Sequence, residues 1–167
     1  MKPSFIIALV LLLASCTSNL VTVNDASAWS SFAYEGFGNK ISRLAGNEAI
    51  DCGVINQINT NDPTNKNNSL KKARSCIEKS GSNGLPFKFG TVRIPIDSYL
   101  FEAITFTPAK EYWIVHYDYM VDGSSNMHVI KRCKGLDLKR SDSTFTGINC
   151  IEVSTTDWLS DIPEQQN

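Results

Sequence analysis

The sequence lacks most of the features from which a function is usually assigned. Its 167 residues contain two histidines and no Cys-x-x-Cys pair, and no phosphate-binding loop, His-Glu-x-x-His, calcium-loop or dinucleotide motif is present. Basic and acidic residues nearly balance, at 16 and 17, which argues against the electrostatic attraction to phosphate that nucleic-acid-binding proteins need. We therefore predict no nucleic-acid partner, no metal and no cofactor.

A hydrophobic run long enough to span a membrane is also missing. The longest run, Phe5–Ala14, follows a short segment in which Lys2 is the only charge. As a helix it would measure about 15 Å, roughly half of a hydrocarbon core of about 30 Å. This organisation favours the hydrophobic part of an export signal peptide.

The four residues Leu13-Ala14-Ser15-Cys16, which overlap the end of this run, resemble the lipobox of bacterial lipoprotein signal peptides. The resemblance implies removal of residues 1–15, a diacylglyceryl group on the sulfur of Cys16, and a further acyl chain such as palmitate on the new amino terminus. Two or three acyl chains anchor a protein firmly in a membrane. Thr17 follows Cys16 in place of the Asp that often retains such proteins in the inner membrane of enteric bacteria, so in a Gram-negative cell we expect the outer membrane, facing the periplasm. Ordinary secretion, with Cys16 as a thiol or disulfide partner, is the alternative.

The remaining cysteines are even in number, since lipidation removes Cys16 from a total of five. Outside the reducing cytosol such a set predicts disulfides. We favour Cys52–Cys76 and Cys133–Cys150, because each pair closes a short loop that contributes roughly 3 kcal/mol, although the other pairings stay open. A zinc site is disfavoured, because the cysteines and histidines lack the usual ligand spacings.

The chain divides into a signal peptide (1–15), a lipidated polar tether (16–35), one globular domain (36–160) and a tail (161–167). We predict an α+β domain, with one or two N-terminal helices followed by a curled antiparallel sheet of about four to five strands, held by disulfides. The order of elements resembles that of cystatin-like and NTF2-like folds. The predicted elements are helices at Asn39–Ala45 and Ser69–Ser80, an extended segment at Ala49–Ile55, an exposed loop at Asn56–Asn68, strands at Leu85–Ile94, Ser98–Thr107, Glu111–Val121, Met127–Cys133 and Ile148–Ser154, and a polar connection at Gly135–Gly147.

Two elements have patterns that predict their burial. Leu70, Ala73 and Ile77 form a narrow apolar stripe on the longer helix. The strand Glu111–Val121 is apolar on both faces, which predicts a central position in the sheet. Short connections between successive strands predict antiparallel neighbours.

One set of side chains suggests hydrolysis. His116 and Asp118 share a strand face, Asp97-Ser98 offers a hydroxyl, and His128 lies on the next strand. A carboxylate can orient an imidazole that acts as a general base. No nucleophile-elbow motif supports this hypothesis, and the simpler interpretation makes Asp97 and Ser98 turn residues and His116 a half-exposed strand residue.

The segment Asp51-Cys52-Gly53, the cysteine on the following helix and the later cysteine pair resemble small lipoproteins of Gram-negative bacteria that carry no agreed activity. Our leading hypothesis is a non-catalytic envelope lipoprotein that binds an envelope protein or a cell-wall partner. The alternatives are an envelope hydrolase that uses His116 with Asp118 or Ser98, and a periplasmic immunity protein that inhibits a toxin.

Overall fold

A computed structural model describes residues 37–58, 63–94, 98–120, 127–138 and 145–154. The signal peptide, Cys16, the tether, the tail and Asp97 lie outside these ranges. Neither of the helices in them is long and apolar enough to cross a membrane. The described elements are helices α1 (Phe37–Ala45) and α2 (Pro63–Ser82) and strands β1 (Ile50–Asn56), β2 (Phe87–Arg93), β3 (Ser98–Phe106), β4 (Tyr112–Met120), β5 (Met127–Cys133), β6 (Gly135–Asp137), β7 (Thr146–Ile148) and β8 (Ile151–Val153).

A mixed sheet of six strands organises the domain, in the order β1-β2-β3-β4-β5-β8. Strand β1 runs parallel to β2, and α2 makes the crossover that a parallel pair requires. The pairs from β2 onward are antiparallel. Strands β6 and β7 form a separate antiparallel pair. Strand β4 lies inside the sheet between β3 and β5, which confirms its predicted central position.

Each face of the sheet has its own hydrophobic core. On one face α1 buries Phe37 and Ile41 against the side chains of β2 to β5, including Tyr117. On the other face α2 buries its predicted stripe against β1 and β2, where Phe87 and Phe89 are almost inaccessible to solvent. The prediction of the α2 stripe is confirmed, since Leu70, Ala73 and Ile77 are all buried.

The α+β class is confirmed, but the finer prediction is wrong in strand count and in the placement of the helices. The described ranges contain eight strands instead of four to five. Strand β1 lies between the two helices and pairs in parallel with β2, so the sheet is mixed rather than antiparallel. The segment predicted as one strand, Ile148–Ser154, is divided by Asn149, whose φ of 52° breaks an extended backbone. The polar connection Gly135–Gly147 contributes β6 and most of β7.

Helix α2 begins earlier than predicted and removes part of the expected loop at Asn56–Asn68. Pro63 opens the helix, a position where its missing N–H costs nothing. The helix continues past Gly81 to Ser82, and Gly84, with φ of 63°, follows its end. The turn is closed by a hydrogen bond from the Leu85 amide to the Ser80 carbonyl, 2.9 Å.

Both favoured disulfides are present. Cys52–Cys76 joins β1 to α2, and Cys133–Cys150 joins the end of β5 to the turn before β8. Next to Cys52 the register of β1 shifts, and Gly53 has a φ of 89° there. The Gly53 amide donates a hydrogen bond of 2.8 Å to the Asp51 side chain, so the bulge that carries the first disulfide has its own polar support.

Candidate functional site

The register of the central strands places polar side chains side by side on the face that α2 covers only in part. Thr91 of β2 lies opposite Glu102 of β3, which lies opposite His116 of β4. One row away, toward the end of β5, Lys131 of β5 lies opposite Glu152 of β8. Because opposing residues of antiparallel strands share a face, these side chains belong to one surface.

A groove runs over this surface. The hairpin β6–β7 lies above the half of the sheet face that α2 does not cover, and Phe145, just before β7, packs edge-on against Phe89 with ring centroids 5.2 Å apart. A small recess of about 10 Å³ lies at the base of Phe145, and it shares four lining residues with a larger groove of about 530 Å³. The larger groove is lined by Glu102, Ile114, His116, Lys131, Phe145, Thr146, Gly147, Cys150 and Glu152.

Glu102 is the most enclosed charge of the groove, with its side chain only 15% exposed. Its Oε1 lies 3.2 Å from Nδ1 of His116, and its Oε2 accepts a hydrogen bond of 3.4 Å from Thr91 Oγ1 and lies 3.6 Å from Nε of Arg93. Burial alone raises the pKa of Glu102. The hydrogen bond and charge of His116, the charge of Arg93 and the hydrogen bond from Thr91 outweigh it, so the pKa lies below its ordinary value of 4.5. Glu102 is therefore a carboxylate at neutral pH, with partners on both oxygens.

His116 is held by this carboxylate in one orientation. Nδ1 faces Glu102, and the other ring nitrogen has no hydrogen-bond partner within the described ranges. The side chain is 32% exposed and lines the groove. An imidazole fixed in this way can donate to or accept from a bound group, and it can also take a proton from a water molecule.

The other residues of the hydrolase hypothesis lie apart from His116. Asp118 is on the same face, but in the described part of the chain it forms no hydrogen bond or ion pair with His116. Ser98 is buried opposite Met120, four residues from Glu102 along β3, or about 13 Å at the usual rise per residue. His128 stacks on Tyr117, on the face that α1 covers. The structure thus pairs His116 with Glu102 and with neither of the expected partners.

The sequence interpretation missed Glu102, Thr91, Lys131 and Glu152. A signal for Glu102 exists in the sequence, because it is the one charged residue in the strand Ser98–Phe106. Its pairing with His116 depends on the register between β3 and β4, which the sequence does not specify.

Within the described residues no cluster of three or more His, Cys, Asp or Glu side chains could hold a metal ion. No protein-family model, no curated protein and no solved structure matches this chain.

Proposed function

We propose that this chain is a lipid-anchored lipoprotein of the bacterial envelope whose domain is a non-catalytic binding module, with the groove under hairpin β6–β7 as its binding site. The groove carries the proposal: at about 530 Å³ it has the volume of a small-ligand site. Its floor lies on central strands, and its wall, the hairpin β6–β7, is tied to β5 through Cys133–Cys150. A rigid floor with side chains held in place reduces the ordering cost of binding.

The anchor is supported by the lipobox at Leu13–Cys16 and by the apolar run before it. Attached through Cys16, the domain would face the periplasm from the outer membrane, and its partner would be a component of the envelope. No cofactor takes part in this function.

Site-directed photo-crosslinking tests the groove. A benzophenone amino acid at Thr146, which is exposed and lines the groove, should form an adduct in intact cells. The same probe at Lys72, exposed on α2, is the matched control. We expect an adduct at Thr146 alone, which Lys131→Glu should abolish, and its mass distinguishes protein from cell-wall polymer. Equal adducts at both positions, or none at Thr146, would refute binding in the groove.

A second candidate function is hydrolysis, with His116 as general base for a water molecule. The pairing of His116 with Glu102 at 3.2 Å favours it. Glu102→Gln and His116→Ala should then each lower turnover of an ester or amide substrate by at least about a hundredfold, whereas Ser98→Ala should retain it. A purified protein that turns over neither substrate class faster than His116→Ala does would exclude this candidate.

A further inference from the structure

Two opposite charges in the groove face each other without forming an ion pair. Lys131 and Glu152 are Cα partners on β5 and β8, and residues in such positions have Cα atoms about 4.5–5.5 Å apart. Opposite charges at this spacing usually attract. Within the described ranges, however, neither side chain takes part in an ion pair or a hydrogen bond, and both line the groove.

The Glu102 carboxylate differs in this respect, because His116, Thr91 and Arg93 satisfy both of its oxygens. The groove therefore offers a ligand one unpaired cation, one unpaired anion and the remaining ring nitrogen of His116. Ile114 is the residue opposite Lys131, which makes His116 its diagonal neighbour, with Cα atoms roughly 7–8 Å apart. Unpaired charges of both signs are thus side by side, next to a hydrogen-bonding group.

We propose that the groove binds the zwitterionic head group of an amino acid, with its ammonium at Glu152 and its carboxylate at Lys131. In an amino-acid head group the ammonium and the carboxylate are attached to the same carbon atom. This spacing matches a cation and an anion on neighbouring strands. Glu152 would repel a purely anionic ligand, and Lys131 would repel a purely cationic one. Ile114 and Phe145 supply apolar contacts for the attached chain. This inference rests on the proposed function, because it names the ligand class of the same groove.

Such a head group has two sources in an envelope. It can belong to a free amino acid, or it can be the exposed end of a diamino acid in a cell-wall peptide. The groove is larger than a head group requires and is partly open, so a longer chain can leave it. The recognised chemistry is the same, and the probes can separate the sources.

Binding can be measured by calorimetry and by amide chemical shifts on the lipidated protein in detergent micelles. The probes are free meso-diaminopimelate, a soluble cell-wall peptide that ends in this residue with its head group exposed, and the same peptide with that head either N-acetylated or amidated. We expect the unblocked peptide to bind and both blocked peptides to bind at least about tenfold more weakly. Binding of the free amino acid as well shows that the head group suffices, and binding of the free amino acid alone identifies a soluble source.

Single substitutions test whether Lys131 and Glu152 bind the charged groups of the ligand. Lys131→Ala and Glu152→Ala should each weaken binding about tenfold or more, whereas Lys134→Ala, which removes an exposed charge outside the groove lining, should not. Circular dichroism checks that each variant is folded. Equal binding of blocked and unblocked peptides, equal effects of Lys131→Ala and Lys134→Ala, or no binding by any probe would overturn the ligand class. If the Thr146 adduct persists in that case and still depends on Lys131, the proposed function stands without this inference.

Discussion

The substitution Gly147→Ala tests the packing of the groove wall most directly. A Cβ at Gly147 would overlap the Sγ atoms of both Cys133 and Cys150 and would lie 2.9 Å from Cδ1 of Ile114. The sulfur atoms are bonded to each other, so they cannot move apart without breaking the disulfide or displacing the hairpin. Gly147 has no positive φ, so the effect is steric and not a matter of backbone strain.

The magnitude follows from the two ways of relieving the overlap. Forcing one extra carbon into a packed site costs about 1–3 kcal/mol, and losing a disulfide that closes a loop of this length costs roughly 3 kcal/mol. We expect Gly147→Ala to lower the free energy of unfolding by about 2–3 kcal/mol. Gly135→Ala is the matched control on the paired strand, because its new Cβ would meet Ile148 at an ordinary 3.7 Å.

Urea unfolding followed by circular dichroism gives both free energies, and alkylation followed by mass measurement counts free thiols. The control should stay within about 0.5 kcal/mol of the parent, the usual range for substitutions that disturb no packing. If Gly147→Ala also stays within that range with both disulfides intact, the placement of the hairpin over Cys133–Cys150 is wrong.

Three further outcomes are expected. The Thr105 hydroxyl is fully buried and has no hydrogen-bond partner in the described part of the chain, so Thr105→Val should raise the free energy of unfolding by about 1 kcal/mol. Thr107→Val loses the hydrogen bond from the Glu111 amide and should lower the free energy of unfolding. Thermal unfolding distinguishes the two variants. Because the pKa of Glu102 is lowered on folding, its charge stabilises the domain above pH 4.5 and this contribution is lost as the pH falls through the folded-state pKa. Glu102→Gln should therefore lower the free energy of unfolding, measured in urea, at pH 7, and this loss should shrink below pH 4.5. A loss that is constant with pH would contradict the stabilising contacts of the Glu102 carboxylate with His116 and Arg93. Cys16→Ser should move the protein from the membrane fraction to the soluble fraction, and retention with an uncut leader would show that the apolar run is the anchor.

The regular parts of the fold could be predicted where one short-range pattern determines the structure. The stripe of α2 follows from helical spacing, and the strand Met127–Cys133 follows a stretch of turn residues in the sequence. Loop length favours the two disulfides that the structure contains, without excluding the other pairings. Strand β7 and the turn at Asn149 could not be predicted in this way, because three-residue strands carry too little pattern to distinguish from a polar connection.

The candidate site could be predicted only in part, for a similar reason. The sequence places His116 and Asp118 on one strand face two residues apart, which predicts Asp118 as the partner of the imidazole. The structure instead supplies Glu102 from the adjacent strand, 3.2 Å away. A partner across a sheet is determined by register, and register depends on turns and core packing along the entire strand pair. The parallel pairing of β1 is likewise a long-range property, set by where α2 ends and how it packs.

The position of the groove on the sheet divides its side chains by local stability. Glu102 and His116 lie on β3 and β4, which are hydrogen-bonded on both sides and covered by a core on each face, and amides in such strands exchange with solvent only when the domain unfolds globally. Glu152 lies on β8, a three-residue edge strand with an exposed Ile151 beside it, where opening needs few broken contacts. Hydrogen exchange should therefore report slow amides on β3 and β4, beneath the half-buried Glu102 carboxylate, and fast amides on β8 at the edge of the sheet. An occupied groove should slow the amides of β8 much more than those of β3 and β4.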